Sequence, residues 1–283
     1  MLRNVLLSAD LTPDFEHIAK FVCGLPDLGT KRVVLGHVID ASGMEGPVIA
    51  AEIDRAREAV KESASALTCT DLEVEVRISA GDEEASEGLL ALAAGSDANA
   101  LVCGTHGKSP MERLITGSVS EEILANAELP VLMVRYSLLR NVEDAANMAR
   151  RFGRTLVLTT DFSAASTRAF MSVLDLPKQA LGTLYLLHAI DPDLDRAAAK
   201  KAEEGAEFQL RNWTAMAEQK GITARPVVRH DEPARAVLQE VDERRATGIV
   251  AGTRGRGALT EALLGSVSLT LVRQASCPVL IVP

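Results

Sequence analysis

The chain has 283 residues, of which 47% are hydrophobic and only 3% aromatic, and it carries a formal net charge of −9 at pH 7. This length predicts two domains of about 140 residues, and the acidic balance argues against a protein that binds nucleic acid through a general basic surface. No run approaches the roughly 18 apolar residues of a membrane span. The apolar stretch at the N-terminus is too short for a signal peptide, so we expect a soluble cytoplasmic protein.

Strands and helices are predicted to alternate along the first half. Short apolar runs indicate the strands, and apolar residues at helical spacing indicate the helices between them. The predicted strands cover residues 3–8, 32–40, 72–79, 99–103 and 130–135, and the predicted helices cover 11–24, 48–67, 83–94 and 118–126.

The second half repeats this order. Its predicted strands cover residues 155–160, 183–191, 225–229, 249–251 and 278–282, and its predicted helices include 163–174, 193–219 and 233–244. Strands that alternate with helices of this length favour right-handed crossovers and parallel pairing. We therefore predict an open α/β sheet in each half, with helices on both faces.

One stretch with the pattern G-x2-G-x9-G-S-V-S occurs twice, beginning at Gly104 and again at Gly252. The two copies lie 148 residues apart, whereas Asp10 and Asp161, which follow the first strand of each half, lie 151 apart. Landmarks that recur at nearly fixed offsets indicate a duplication. We predict a first domain over 1–136, a connector over 137–152 that either forms one more helix or packs as a linker, and a second domain over 153–283.

Each copy of the stretch lies where a buried strand ends and a helix begins. Backbone N–H groups lack partners there and bind anions, and glycine lets a ligand approach the backbone closely. Ser118 and Ser266 are predicted to cap the following helices or to turn a hydroxyl toward a phosphate. Because ligands bind at the carboxyl ends of parallel strands, we expect Asp10 and Asp161 at the same sheet edge as the glycines.

These residues resemble the universal stress protein family, in the form that carries two such domains in one chain. The resemblance covers nearly the whole chain and rests on the repeated glycine motif, on Asp10 and Asp161, on a histidine in the second strand of each half (His37 and His188), and on the terminal Pro-Val-Leu strands. The family often has Arg between the first two glycines, which Arg254 supplies, whereas the first half has His106.

The resemblance implies a Rossmann-like or flavodoxin-like fold with five parallel strands in each domain, and binding of ATP. By that analogy the aspartates contact ribose or adenine, the residues after the histidines line the adenine pocket, and the glycine motif holds the ribose and phosphates. The implied nucleotide-binding residues are Asp10, Val38, Gly104, Gly107, Gly117, Ser118, Val119, Ser120, Asp161, Ala189, Gly252, Arg254, Gly255, Gly265, Ser266, Val267 and Ser268.

The resemblance also implies an intrachain pseudo-dimer in which the last strands, 131–134 and 279–282, pair with each other. We further expect an unidentified protein partner and a homodimer of the tandem chain. Three functions stay open: an ATP-binding regulator of the stress response, a slow Mg²⁺-dependent ATPase or phosphotransferase, and a nucleotide-free interaction scaffold.

The sequence contains no convincing base to activate water, so no catalytic residue is predicted. We interpret His37 and His188 as packed strand-end histidines. The four cysteines form no C-x-x-C pair and favour reduced thiols.

Overall fold

The computed structural model describes residues 1–67, 71–105, 119–253 and 265–283. The chain divides into two compact units, Met1–Arg150 and Arg151–Pro283.

The first unit alternates strands and helices in the predicted order. Its strands are β1 (Asn4–Ser8), β2 (Arg32–Asp40), β3 (Glu73–Gly81), β4 (Ala100–Thr105) and β5 (Val131–Arg135), and its helices are α1 (Phe15–Val22), α2 (Gly46–Ser63), α3 (Ala85–Ala94), α4 (Val119–Asn126), α5 (Tyr136–Leu139) and α6 (Ala145–Arg150).

The second unit has the same alternation. Its strands are β6 (Thr155–Thr159), β7 (Thr183–Ile190), β8 (Thr223–His230), β9 (Gly248–Gly252) and β10 (Val279–Val282), and its helices are α7 (Ala164–Leu174), α8 (Arg196–Gln219), α9 (Pro233–Arg244) and α10 (Ser266–Gln274).

Within the described residues, each unit contains a five-stranded parallel sheet. The strand order in the first unit is β3-β2-β1-β4-β5, and that in the second is β10-β9-β6-β7-β8. Successive strands are therefore added on one side of β1 up to β3 and then on its other side from β4, and in the same way around β6 in the second unit. Right-handed crossovers on the two sides of β1 and β6 place helices on both faces of each sheet, which confirms the predicted α/β fold.

The central strands are buried on both faces. Val5, Leu6 and Leu7 of β1 are 0% exposed, because helices cover both sides of a parallel sheet. In the second unit, Phe170 of α7 stacks on Trp213 of α8 with ring centroids 4.4 Å apart. This contact fixes α7 and α8 on the same face.

The predicted connector forms two short helices that pack on the first unit. At Gly24, just after α1, an added Cβ would overlap the carbonyl oxygen of Ala146 and lie 2.8 Å from the Cβ of Ala149. Only glycine permits this approach of α6 to α1. The connector therefore does not form a single helix but packs against the first unit, which is the second of the two predicted alternatives.

Three sequence expectations need correction. Helix α1 begins at Phe15 rather than at residue 11, and β4 continues to Thr105, so Gly104 lies within the strand. Cys23 is disulfide-bonded, which contradicts the expectation of four reduced thiols, whereas Cys103 and Cys277 are buried and keep reduced thiols. Among the described helices, none is long and apolar enough to cross a membrane.

Candidate functional site

The predicted site residues in the described part of the chain lie at the carboxyl edge of each sheet, where strands end and loops begin. Five of the predicted residues fall outside the described residues, and these are Gly107, Gly117, Ser118, Arg254 and Gly255.

In the second unit, the end of β9 and the start of α10 are joined directly. The N–H of Gly265 donates to the carbonyl of Thr253 over 2.9 Å, and the hydroxyl of Ser268 donates to the carbonyl of Gly252 over 2.7 Å. Ser268 is only 3% exposed, so its hydroxyl ties the helix to the strand. The end of β9 and the start of α10 therefore meet at one place at the sheet edge.

Helix α10 begins with its N-terminus at this junction. Gly265 is the N-cap, with φ −62° and ψ 135°, and Ser266 is the first helical residue. The expectation that Ser266 caps the helix is therefore wrong. The first N–H groups of a helix, here those of Ser266, Val267 and Ser268, have no partner within the helix and favour an anion.

The loop after β6 brings Asp161 to the same unit's sheet edge. Its carboxylate accepts a hydrogen bond from the N–H of Ser163 over 3.0 Å. Phe162 between them has φ 60°, a left-handed conformation that is uncommon for a residue with a large side chain. The surroundings hold this turn in place, because the hydroxyl of Thr160 accepts from the N–H of Phe162 and donates to the hydroxyl of Ser166.

Aromatic rings pack against this loop. Phe162 lies 4.8 Å from the ring of His188 and 5.6 Å from that of Trp213. His188 Nδ1 lies 2.7 Å from the carbonyl oxygen of Thr160. Because a carbonyl only accepts, Nδ1 carries the hydrogen. Ala189, the predicted adenine-lining residue, follows at the half-buried end of β7.

In the first unit the equivalent loop has the same backbone turn but different partners. Leu11 has φ 54°, and His37 Nδ1 lies 2.7 Å from the carbonyl oxygen of Ala9. Asp10 accepts from the N–H and hydroxyl of Thr12 over 3.0 and 2.9 Å. Its other oxygen accepts from the hydroxyl of Tyr136 over 2.9 Å.

Tyr136 also covers the first glycine of the motif. An added Cβ on Gly104 would overlap the Tyr136 ring, and Tyr136 is 2% exposed. Burial, together with the nearby negative charge of Asp10, raises the pKa of the Tyr136 phenol above its usual value. The phenol therefore stays protonated and donates to Asp10 at ordinary pH.

The corresponding side of Gly252 is covered by main chain rather than by an aromatic ring. An added Cβ there would lie 2.9 Å from backbone and Cβ atoms of Ala165 and Ser166, in the first turn of α7. Packing within the protein thus requires glycine at both Gly104 and Gly252. This requirement is independent of any ligand.

The remaining predicted residues of the first unit lie at the start of α4 and the end of β2. Val119, the first described residue of α4, is 38% exposed, and Ser120 follows it. Val38 packs against α3, since an added Cβ on Gly88 would lie 2.8 Å from a methyl group of Val38. Cys103 is buried in front of Gly104, and burial raises the pKa of its thiol to about 12.

Sequence reasoning missed the residues that hold these loops. Tyr136 begins the short helix α5 and Arg140 directly follows it. Both lie 126 residues after their partners Asp10 and Asp14, and no local pattern connects them. Thr160 and Ser166 lie at the end of a predicted strand and in the first turn of a predicted helix, and no sequence pattern indicated the hydrogen bond between their hydroxyls. In the part of the chain that the structure describes, no group of His, Cys, Asp or Glu side chains is arranged to hold a metal.

Comparison with known proteins identifies relatives of both units. The family model described as the universal stress protein family matches residues 1–135 and again 153–283. Universal stress protein YxiE of Bacillus subtilis is 32% identical over 123 residues, which are 42% of this chain and 82% of that protein. Universal stress protein Rv2623 of Mycobacterium tuberculosis is 31% identical over 193 residues, which are 65% of this chain and 61% of that protein.

A solved structure has the same fold over the full length. The crystal structure of a universal stress protein from Archaeoglobus fulgidus aligns with a TM-score of 0.77 at 22% identity, covering 100% of this chain and 99% of that one. At this identity the likeness concerns the fold alone. The match of the family model to both halves of the sequence means that this chain belongs to the universal stress protein family.

Proposed function

We propose that this protein is a regulator of the stress response that binds adenine nucleotide, as ATP with or without Mg²⁺, at the carboxyl edge of its sheets. The observation that carries the proposal is the junction of β9 and α10. The hydrogen bond from Gly265 to Thr253 sets the first N–H groups of helix α10 beside the strand end, at the same edge as Asp161. This arrangement suits a phosphate at the helix and a ribose hydroxyl at the carboxylate.

We propose binding with slow or absent turnover. The two strand-end histidines, His37 and His188, use Nδ1 to bind the backbone of the neighbouring loop, which suits them to a supporting role. A helix start and a carboxylate supply affinity and orientation, but activation of water needs a positioned base as well. A regulator that changes its partner or assembly when ATP binds requires only affinity and orientation.

The test is to denature freshly purified protein and to quantify the released adenine nucleotide by chromatography. Wild type is compared with Gly265→Val, whose backbone angles in the extended region are open to valine, and with Gly117→Val. We expect one or two nucleotides per chain in wild type and a loss in at least one variant. Gly205→Val is the matched control, because an added Cβ there meets nothing within 4 Å.

The other outcomes separate the alternatives. A protein that carries no nucleotide and takes up no added ATP with Mg²⁺ would be an interaction scaffold, and the proposal would be wrong. Metal-dependent phosphate release that disappears in Gly265→Val but persists in Gly205→Val would instead assign an ATPase.

A further inference from the structure

The candidate site of the first unit is crossed by a segment of its own chain. Helix α5 and the residue after it reach the β1–α1 loop with two side chains: Tyr136 donates to Asp10 over 2.9 Å, and the guanidinium of Arg140 binds Asp14 through two nitrogens, with Nε 2.7 Å from one carboxylate oxygen. We call residues 136–140 the strap. The strap thus engages both acidic side chains of the loop.

The geometry points to the strap as an internal competitor for nucleotide in the first unit. This inference rests on the proposed function and adds to it that the first unit binds ATP more weakly than the second. A ribose hydroxyl that donates to Asp10 meets a carboxylate that already accepts from Thr12 and Tyr136. A nucleotide must therefore displace the phenol or share the carboxylate with it.

Displacing the phenol is costly because Tyr136 is 2% exposed. A buried hydroxyl that loses its partner keeps the penalty of having left water. Moving the whole ring would also uncover Gly104, against which it packs, and would pull on the ion pair of Arg140 with Asp14. Asp14 is itself 8% exposed, so its charge depends on partners within the protein.

The second unit is built differently at the same position. The atoms closest to the position of an added Cβ on Gly252 belong to Ala165 and Ser166, in the first turn of α7. That helix is part of the α/β unit itself, and Asp161 accepts from Ser163 within its own loop. Nucleotide binding there does not require a separate segment to move away from Gly252.

The experiment is calorimetric titration of the full chain with ATP and Mg²⁺. Wild type is expected to show one tight and one weaker site, and Gly265→Val to retain only the weaker one. In that background, Tyr136→Phe keeps the ring over Gly104 but removes the competing hydroxyl. It is expected to tighten the remaining site about tenfold, or about 1.4 kcal/mol.

Tyr185→Phe is the matched control, because Tyr185 lies in β7, where its ring faces the guanidinium of Arg244. It is expected to leave both affinities unchanged. Arg140→Gln releases the other end of the strap and is expected to tighten the first site as well, so the inference does not depend on one variant. Amide exchange of residues 136–140 should accelerate when ATP fills the first unit.

Two results would overturn the inference while leaving the proposed function in place. These are two equal sites in wild type, or a first site that Tyr136→Phe fails to tighten. Loss of the tight site in Gly117→Val rather than in Gly265→Val would also overturn the inference and leave the proposed function in place. Absence of binding in wild type and in all variants would overturn the proposed function and this inference together.

Discussion

The loops after β1 and β6 have the same backbone turn but are held by different means. Both contain a residue with positive φ, Leu11 and Phe162, and both are supported by a strand-end histidine. In the second unit the loop is completed by nearby hydroxyls, those of Thr160 and Ser166. In the first unit it is completed by Tyr136, which lies 126 residues further along the chain.

This difference shows that two copies of one fold stabilise the same backbone turn with different side chains. The turn is preserved because the sheet edge requires it, whereas the side chains that stabilise it are replaceable. A loop held by a distant segment, such as the strap, becomes sensitive to whatever moves that segment.

The largest effect is expected from Tyr136→Ala. Removing a fully buried aromatic ring should lower the free energy of unfolding of the first unit by about 4 kcal/mol. Hydrogen exchange measures this separately for each unit, with the amides of β1 and β4 expected to lose protection while those of β6 and β9 serve as an internal reference. Equal losses in both units would contradict the comparison.

The next effect concerns a glutamate placed between two arginines in each unit. Glu240 is 0% exposed and accepts from Arg229 and Arg244 over 3.0 and 2.7 Å. Burial by itself would raise the pKa of its carboxyl, but the hydrogen bonds from Arg244 and Arg229 hold that pKa below its usual value. In the first unit Glu75 contacts Arg77 and Arg32 but is 34% exposed.

A carboxyl group whose pKa is lower in the folded state stabilises the protein at pH values above its unfolded pKa, which is near 4.5. This stabilisation is lost as the pH falls through the folded pKa. Glu240→Ala should therefore destabilise the second unit by about 3 kcal/mol at pH 7 and flatten its acid transition. Glu75→Ala should cost less, about 1 kcal/mol, because solvent screens that pair. Urea unfolding from pH 3 to pH 7 measures both, and equal costs would refute the ranking.

A smaller effect is expected from Gly252→Ala. The added Cβ would lie 2.9 Å from main-chain atoms of α7, which cannot rotate away as a side chain can, so the helix must shift. We expect a loss of about 2 kcal/mol, measured by chemical denaturation. In contrast, Gly205→Ala in the exposed face of α8 should stabilise by about 0.5 to 1 kcal/mol, and a loss of similar size there would show that the packing argument is wrong.

The smallest effect tests the caps of the two equivalent helices. Ser163 caps α7 and accepts from the N–H of Ser166, whereas Asp14 at the start of α1 has no side-chain cap hydrogen bond. Ser163→Ala should cost about 1 kcal/mol, and Ser163→Gly only a few tenths. Thermal unfolding of the two variants provides the measurement. Equal costs for alanine and glycine would argue against a capping role.

Much of the fold was predictable because it depends on local and repeated signals. Apolar runs such as that over residues 3–8 indicated strands, and the pattern over residues 163–174 indicated a helix. The order of elements then implied parallel sheets and placed Asp10 and Asp161 at the carboxyl edge. Helix starts were less accurate, as at Ser266, because a cap depends on backbone geometry that one residue type does not determine.

The sequence alone determined the duplication, the α/β class of each half and the family resemblance, because apolar periodicity is local and a repeated motif can be recognised without knowledge of the fold. Tertiary structure decided which groups meet at each candidate site. The contact of Tyr136 with Asp10 and Gly104 joins residues that are far apart in the chain, and such a contact leaves no periodic signal. The difference between the two units therefore became visible only when the chain was folded.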